Sequence, residues 1–137
     1  MQLADTSVWY CHRRAPTTRG SFSSAVKAGR IATCDMVKLE LLYSERNGAD
    51  FDYRRARLDL MPECPIGPPE WRRAIDVYRE LAHQGGAHQR RVGHQDLLIA
   101  AAAESAGVEL LHYDENFERI AAVTGQPMRW LAPRGSL

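Results

Sequence analysis

The segment VELLHYDENFERI, Val108 to Ile120, changes period half-way: an apolar run suited to a strand reaches Asp114, and Phe117, Ile120 and Ala121 then follow at helical spacing. The same alternation recurs along the chain and constrains the fold more than any other feature. QLA before Asp5 reads as a first strand and TSVWYCHRR as the helix after it. Pro16 interrupts, TTRGSFSSAVKAG suits a second helix closed by Gly29, and RIATC a second strand. DMVKLELLYSERNG reads as a helix with Asp35 near its start and Gly48 at its end. ADFDYRRARLDL suits another helix, and MPECPIGPP crosses to a helix from about Pro69 to Gln84. GGAHQRRVG reads as a loop, HQDLLIAAAAESAG as a helix ending at Gly107, Val108 to Tyr113 as a strand, the stretch from about Glu115 as a helix and QPMRWLA as a last strand. Strands that alternate with helices pair in parallel, so the expected class is α/β, a central parallel sheet flanked by helices on both faces.

At 137 residues and 45% hydrophobic, the chain has enough apolar material for one core, so residues 1–137 are read as a single domain. Its longest aliphatic run, Leu97 to Ala103, is far short of the ~20 residues that span a membrane, and MQLADTS is no leader, so a cytoplasmic protein without a membrane partner is expected. Cys11, Cys34 and Cys64 are too few and too scattered for a disulfide framework or a zinc knuckle.

The acids carry more information. Ligands of an open parallel sheet gather beyond the carboxyl ends of its strands, where Asp5 and Asp114 stand. Each can also be a helix N-cap, and Asp96, in the first turn of its helix, can simply face the helix dipole. Glu40 differs: Met36, Val37, Tyr43 and Ser44 surround it at helical spacing, so its carboxylate leaves a largely apolar band and needs a partner, an Arg or a metal ion. Four acids from four elements can converge on one cleft only with a cation between them, and hard Mg²⁺ or Mn²⁺ prefers such oxygen donors.

LADTSVW, VKLELLYS, VGHQDLLIAAAA and LLHYDENF carry these acids in order, 35, 56 and 18 residues apart. In this the chain resembles the PIN-domain ribonucleases and, within them, the VapC-type toxins of bacterial VapBC toxin–antitoxin pairs. The resemblance implies a PIN-like fold and a toxic endoribonuclease that hydrolyses phosphodiester bonds of tRNA, rRNA or mRNA with Mg²⁺ or Mn²⁺. It implies Asp5, Asp96 and Asp114 as metal ligands, Glu40 as the acid that orients water or a ligand, and Thr6 and Ser7 as supports. Where many relatives have a further acid this chain has Asn116, which offers an oxygen but no charge. A cognate VapB-type antitoxin and a homodimer are implied as well.

Net charge is only +1, yet 16 of the 18 basic residues are Arg, which grips phosphate with two parallel bonds. Without the four acids, 18 basic residues face 13 acidic ones. Arg13, Arg14, Arg90 and Arg91 are the candidate RNA contacts, although such clusters are also ordinary solvated faces. Trp9, Tyr10, Phe51, Tyr53 and Leu58 are candidates for an antitoxin groove. Among His12, His83, His88, His94 and His112 an acid–base pair for metal-free cleavage can be drawn, but it leaves the four acids without a role. A phosphorylated receiver needs a Lys at a late strand end, and neither Lys27 nor Lys38 stands there. The alternative from another class is a PIN-fold RNA- or protein-binding module without catalysis.

Overall fold

The computed structural model describes residues 1–137. Its centre is a parallel sheet of β1 (Gln2–Ala4), β2 (Ile31–Ala32), β3 (Glu109–His112) and β4 (Met128–Trp130), in the order β2-β1-β3-β4. Register pairs Leu3 with Ala32 on one side and with Leu110 on the other, and Leu111 pairs with Arg129. Around it run α1 (Thr6–Cys11), α2 (Pro16–Lys27), α3 (Asp35–Leu42), α4 (Gly48–Leu58), α5 (Pro68–His83), α6 (His94–Ala106) and α7 (Asn116–Thr124).

Successive strand side chains point to opposite faces, and this divides the core in two. Ala4, Ile31 and Leu111 meet Val8 of α1 and Phe22 of α2 in a small cluster. Their neighbours Leu3, Ala32 and Leu110 belong to a much larger cluster with Val37, Leu58, Val77, Ile99 and Phe117 from α3 to α7. The seven residues Leu97 to Ala103 are all buried, so α6 is apolar all round because neighbours cover it all round. At its end Gly107 adopts φ +69, the left-handed turn that stops a helix and that a Cβ disfavours.

Several boundaries differ from the expectation. Gly48 does not end α3; it opens α4, because Asn47 caps that helix by accepting the Asp50 N–H at 2.9 Å. TSVWYCHRR is a six-residue α-helix followed by a 3-10 turn at His12–Arg14. The loop before α6 contains a second such turn, His88–Arg91. The second strand shrinks to Ile31–Ala32, Thr33 adding only a bridge to Glu63.

No helix is long and apolar enough to cross a membrane. All three cysteines are free and buried, and burial pushes the Cys34 thiol up to about 12, far from reactive thiolate chemistry.

Candidate active site

β1 and β3 are neighbours whose chains leave in opposite directions: from β1 through α1 and α2 to β2, from β3 through α7 to β4. A crevice opens at such a switch point, and Asp5 and Asp114 follow the two strands. The Asp5 N–H donates to the Leu111 carbonyl at 2.9 Å, which joins the two strand ends. The Ser7 amide donates to Asp5 Oδ2 at 3.0 Å while its hydroxyl accepts the Tyr113 N–H at 2.9 Å, so one serine links both acid-bearing junctions. Asp114 Oδ1 accepts the Asn116 N–H at 2.9 Å. Asp5 is thus the N-cap of α1, whereas the N-cap of α7 is Glu115 and Asp114 closes the turn just before it.

Glu40 approaches from α3, and it has a partner that the sequence did not suggest. The Thr6 hydroxyl donates to Glu40 Oε1 at 2.9 Å. No Arg meets it; the surface ion pairs join other groups, such as Arg54 with Glu45 and Arg73 with Glu104. Its apolar band is divided: Val37 is buried in the core, Met36 is half-buried and Tyr43 is exposed.

Asp96 completes the group from the first turn of α6. Its carboxyl is pushed up to about 7, by burial first and then by the like charges of Asp5, Asp114 and Glu40. Asp5, only 4% exposed, is pushed up to about 6 by burial, against hydrogen bonds from Ser7 and Thr6. The like charges of Asp5, Asp114 and Glu40 all act on Asp96, so the four acids lie on the same side of the molecule. All the donors are carboxylate oxygens, the kind that hard divalent ions take. No three His, Cys, Asp or Glu side chains draw close enough to hold an ion by themselves.

The histidines do not form a pair. His12 is buried with Nδ1 at 3.1 Å from the Val8 carbonyl, and its ring packs on Phe22. His94 lies edge-on to Tyr78, and buried His112 packs between Phe117 and Trp130. Burial holds the His112 pKa below its usual range, against the attraction of Asp114 and Glu118, so this ring is neutral at pH 7.

A family model for the PIN domain matches residues 3–123. The chain belongs to the PIN-domain family. Ribonuclease VapC18 of Mycobacterium tuberculosis is 46% identical to this PIN domain over 133 residues, covering 97% of this chain and 96% of its own. Ribonuclease VapC51 of the same organism is 38% identical over 135 residues, with 98% and 96% covered. Among solved structures, a DNA-bound VapBC from Salmonella typhimurium superposes with a TM-score of 0.71 at 18% identity, over 96% of this chain and 100% of that one. VapBC-5 from Mycobacterium tuberculosis gives 0.58 at 25% identity, with 94% and 95% covered.

Two depressions lie on this PIN domain, one at Glu40 and one away from the four acids, with Tyr10 shared between them. One, of about 410 Å³, is lined by Thr6, Tyr10, Met36, Leu39, Glu40 and Tyr43. The other, about 730 Å³, lies among α1, α2 and α4 and takes in Trp9, Tyr10, Tyr53 and Leu58. Phe51 does not line it, because its position on α4 turns it to solvent. Arg13 stands at this groove, while Arg14, Arg90 and Arg91 are exposed on the two 3-10 turns. Of the cleft residues, Met36 and Tyr43 had one legible signal, their helical spacing around Glu40, and Leu39, next to Glu40 in the chain, had none.

Proposed function

We propose that this protein is the ribonuclease toxin of a VapBC-type toxin–antitoxin pair and that its cleavage of RNA requires Mg²⁺ or Mn²⁺. The observation that supports the metal dependence is that Asp5, Glu40, Asp96 and Asp114 lie near one another and none of them is in an ion pair with a basic side chain. Asp5, Asp96 and Asp114 would hold the ion, directly or through water. When bound, such an ion supplies positive charge for the phosphate and acidity for an attacking water. Glu40 has one oxygen engaged by Thr6 and the other free to accept a hydrogen bond from that water. Ser7 keeps the two strand-end acids in register through its bonds to Asp5 and Tyr113. Water adds to phosphorus, the bond to the 3′ oxygen breaks and that oxygen takes a proton. The products carry a 5′-phosphate and a 3′-hydroxyl.

End mapping of cleaved RNA tests this. Histidine chemistry through the 2′-hydroxyl would leave a cyclic phosphate and would survive EDTA. Cyclic ends at the primary cut, or full activity in EDTA, refute the metal assignment. A binding module without catalysis would leave the RNA intact.

The partner is a VapB-type antitoxin, as in the VapBC assemblies that share this fold. We place its apolar segment in the groove of Trp9, Tyr10, Tyr53 and Leu58. Tyr10 also lines the cleft at Glu40, so an Arg from that segment can reach the carboxylates and displace the ion through charge-assisted bonds. Antitoxin and Mn²⁺ should then compete. The RNA contacts of Arg13, Arg14, Arg90 and Arg91 and a homodimer belong to the same proposal.

A further inference from the structure

Beyond β4 the chain turns back on itself. The Leu131 N–H donates to the His112 carbonyl at 2.8 Å and so prolongs the pairing of β4 with β3. Residues 133–136 then close a β-turn, the Ser136 N–H donating to the Pro133 carbonyl at 2.9 Å. The third position of the turn is Gly135 at φ +77°, a left-handed conformation that a Cβ disfavours. The reversal brings Leu137 to Tyr113, whose phenol oxygen accepts the Leu137 N–H at 2.7 Å. It also brings Arg134 to α7, where the guanidinium pairs with Glu115 and lies 3.6 Å from Glu118.

Tyr113 and Glu115 are the two chain neighbours of Asp114, and both are tied to this one returning segment. Residues 133–136 are exposed, so they add polar bonds and no core. The Arg134 pairs are open to water, where an ion pair is weak, which leaves the neutral and partly buried bond of Tyr113 as the firmer tie. At its other end Tyr113 donates its backbone N–H to Ser7 Oγ at 2.9 Å, and its ring meets Trp130 edge-on at 5.6 Å. The bonds of Asp114 itself reach only two residues away: its N–H lies 3.3 Å from His112 Nδ1, and its Oδ1 accepts from Asn116. They shape the junction of β3 and α7 without fastening it to the rest of the fold.

Resting on the metal-dependent reading above, we propose that Tyr113, anchored by residues 131–137, is a positioning residue for Asp114. Ser7 holds the junction toward Asp5, and the Leu137 amide holds it from the far end of the same tyrosine. A carboxylate whose support is fixed from two sides has less freedom left to lose when an ion arrives, so it binds the ion more tightly.

Tyr113→Phe removes the acceptor for Leu137 while keeping the ring and the backbone bond to Ser7. Leu137→Pro removes the donor. Both changes are neutral, unlike any at Arg134, so neither alters the charge near the acids. Mn²⁺ titration calorimetry at pH 8 on wild type, each variant and the double variant reads the ion, and melting in EDTA reads the fold. Each single variant should bind Mn²⁺ about tenfold more weakly, the lower end of what groups that orient a metal ligand contribute. Each should melt in EDTA within roughly 4 °C of wild type, as expected for one lost hydrogen bond. The double variant should bind no more weakly than either single one, since all three lack the same bond. Wild-type Mn²⁺ affinity in Tyr113→Phe, whatever its melting temperature and whether or not Leu137→Pro folds, overturns the positioning role and leaves the ribonuclease reading intact. So does a double variant whose loss is the product of the two single losses. A wild type that binds no Mn²⁺ overturns the metal reading and the role of Tyr113 together.

Discussion

Replacing Asp96 by Asn removes one of four like charges while nearly keeping the shape, and above pH 7 without divalent ions it should make the protein more stable. The Asp96 carboxyl stands at about 7 against an ordinary 3.8, from burial and the neighbouring Asp5, Asp114 and Glu40. At ~1.4 kcal/mol per pH unit the difference amounts to ~4 kcal/mol, and solvent reaching this partly exposed group screens part of it, leaving ~2 kcal/mol. The sign follows from proton linkage. Between about 4 and 7 the folded chain holds a proton at Asp96 that the unfolded chain has released, so wild-type stability falls as pH rises through that window, and the whole loss is in place above it. Asp96→Asn has no such proton to lose. In EDTA at pH 8 it should melt roughly 6 °C above wild type, the gap should narrow as pH falls, and below about 3.8, where the unfolded chain also holds the proton, the two should converge. Mn²⁺ reverses the order. An ion that binds only the folded form at a hundredfold excess over Kd adds ~2.7 kcal/mol to wild type, and far less to the variant that lacks a ligand. Thermal melts over this pH range, with and without Mn²⁺, are the measurement. Equal melting temperatures at pH 8 in EDTA, or an equal Mn²⁺ response, would return Asp96 to its bland role at a helix start.

Glu40→Gln should stay folded, because its amide oxygen can still accept from Thr6, yet lose RNA cleavage and growth inhibition; a fully toxic variant refutes a role for its charge. Thr6→Val frees Glu40 from its bond and should lower kcat while binding Mn²⁺ about as well as wild type, as calorimetry would show. Asn116→Asp adds a carboxylate beside Asp114, so it should melt lower than wild type in EDTA and gain more from Mn²⁺. Ala87 holds φ +55 without being glycine, and Ala87→Gly should stabilise the chain by about 0.5–1 kcal/mol in urea unfolding; a loss of stability there would show that the left-handed turn costs nothing.

The acids were legible because residue type and place in the period both spoke: a carboxylate after an apolar run, a carboxylate inside an apolar band. The parallel α/β class was legible for the same reason, as alternation is local. Strand order was not. That β1 lies between β2 and β3 depends on which faces of α1, α2 and α6 pack where, and no window of sequence contains that. Gly48 misled because glycine both stops helices and sits easily after an Asn cap, and Asn47 beside it decided the matter. The Thr6–Glu40 bond spans 34 residues and was invisible in either segment alone.

At Asp5, the N-cap of α1, the choice between capping and function was never a real alternative. A cap bond fixes one carboxylate oxygen on the backbone and leaves the other without a hydrogen-bonded partner, so the feature that made capping plausible also leaves an oxygen for a ligand. Such bonds also offset charge: Ser7 and Thr6 work against burial at Asp5, which stands near 6, whereas Asp96 receives only a weak opposing bond involving Gly93 and stands near 7. The fold thus does least for the negative charge of Asp96. That is the position where an arriving cation relieves the most repulsion, and where a proton is the cation's strongest competitor. Mn²⁺ affinity should accordingly climb as pH rises from 6 to 8, each ion displacing about one proton, and the climb should flatten in Asp96→Asn. An affinity that does not change with pH in wild type would mean the ion is held away from Asp96.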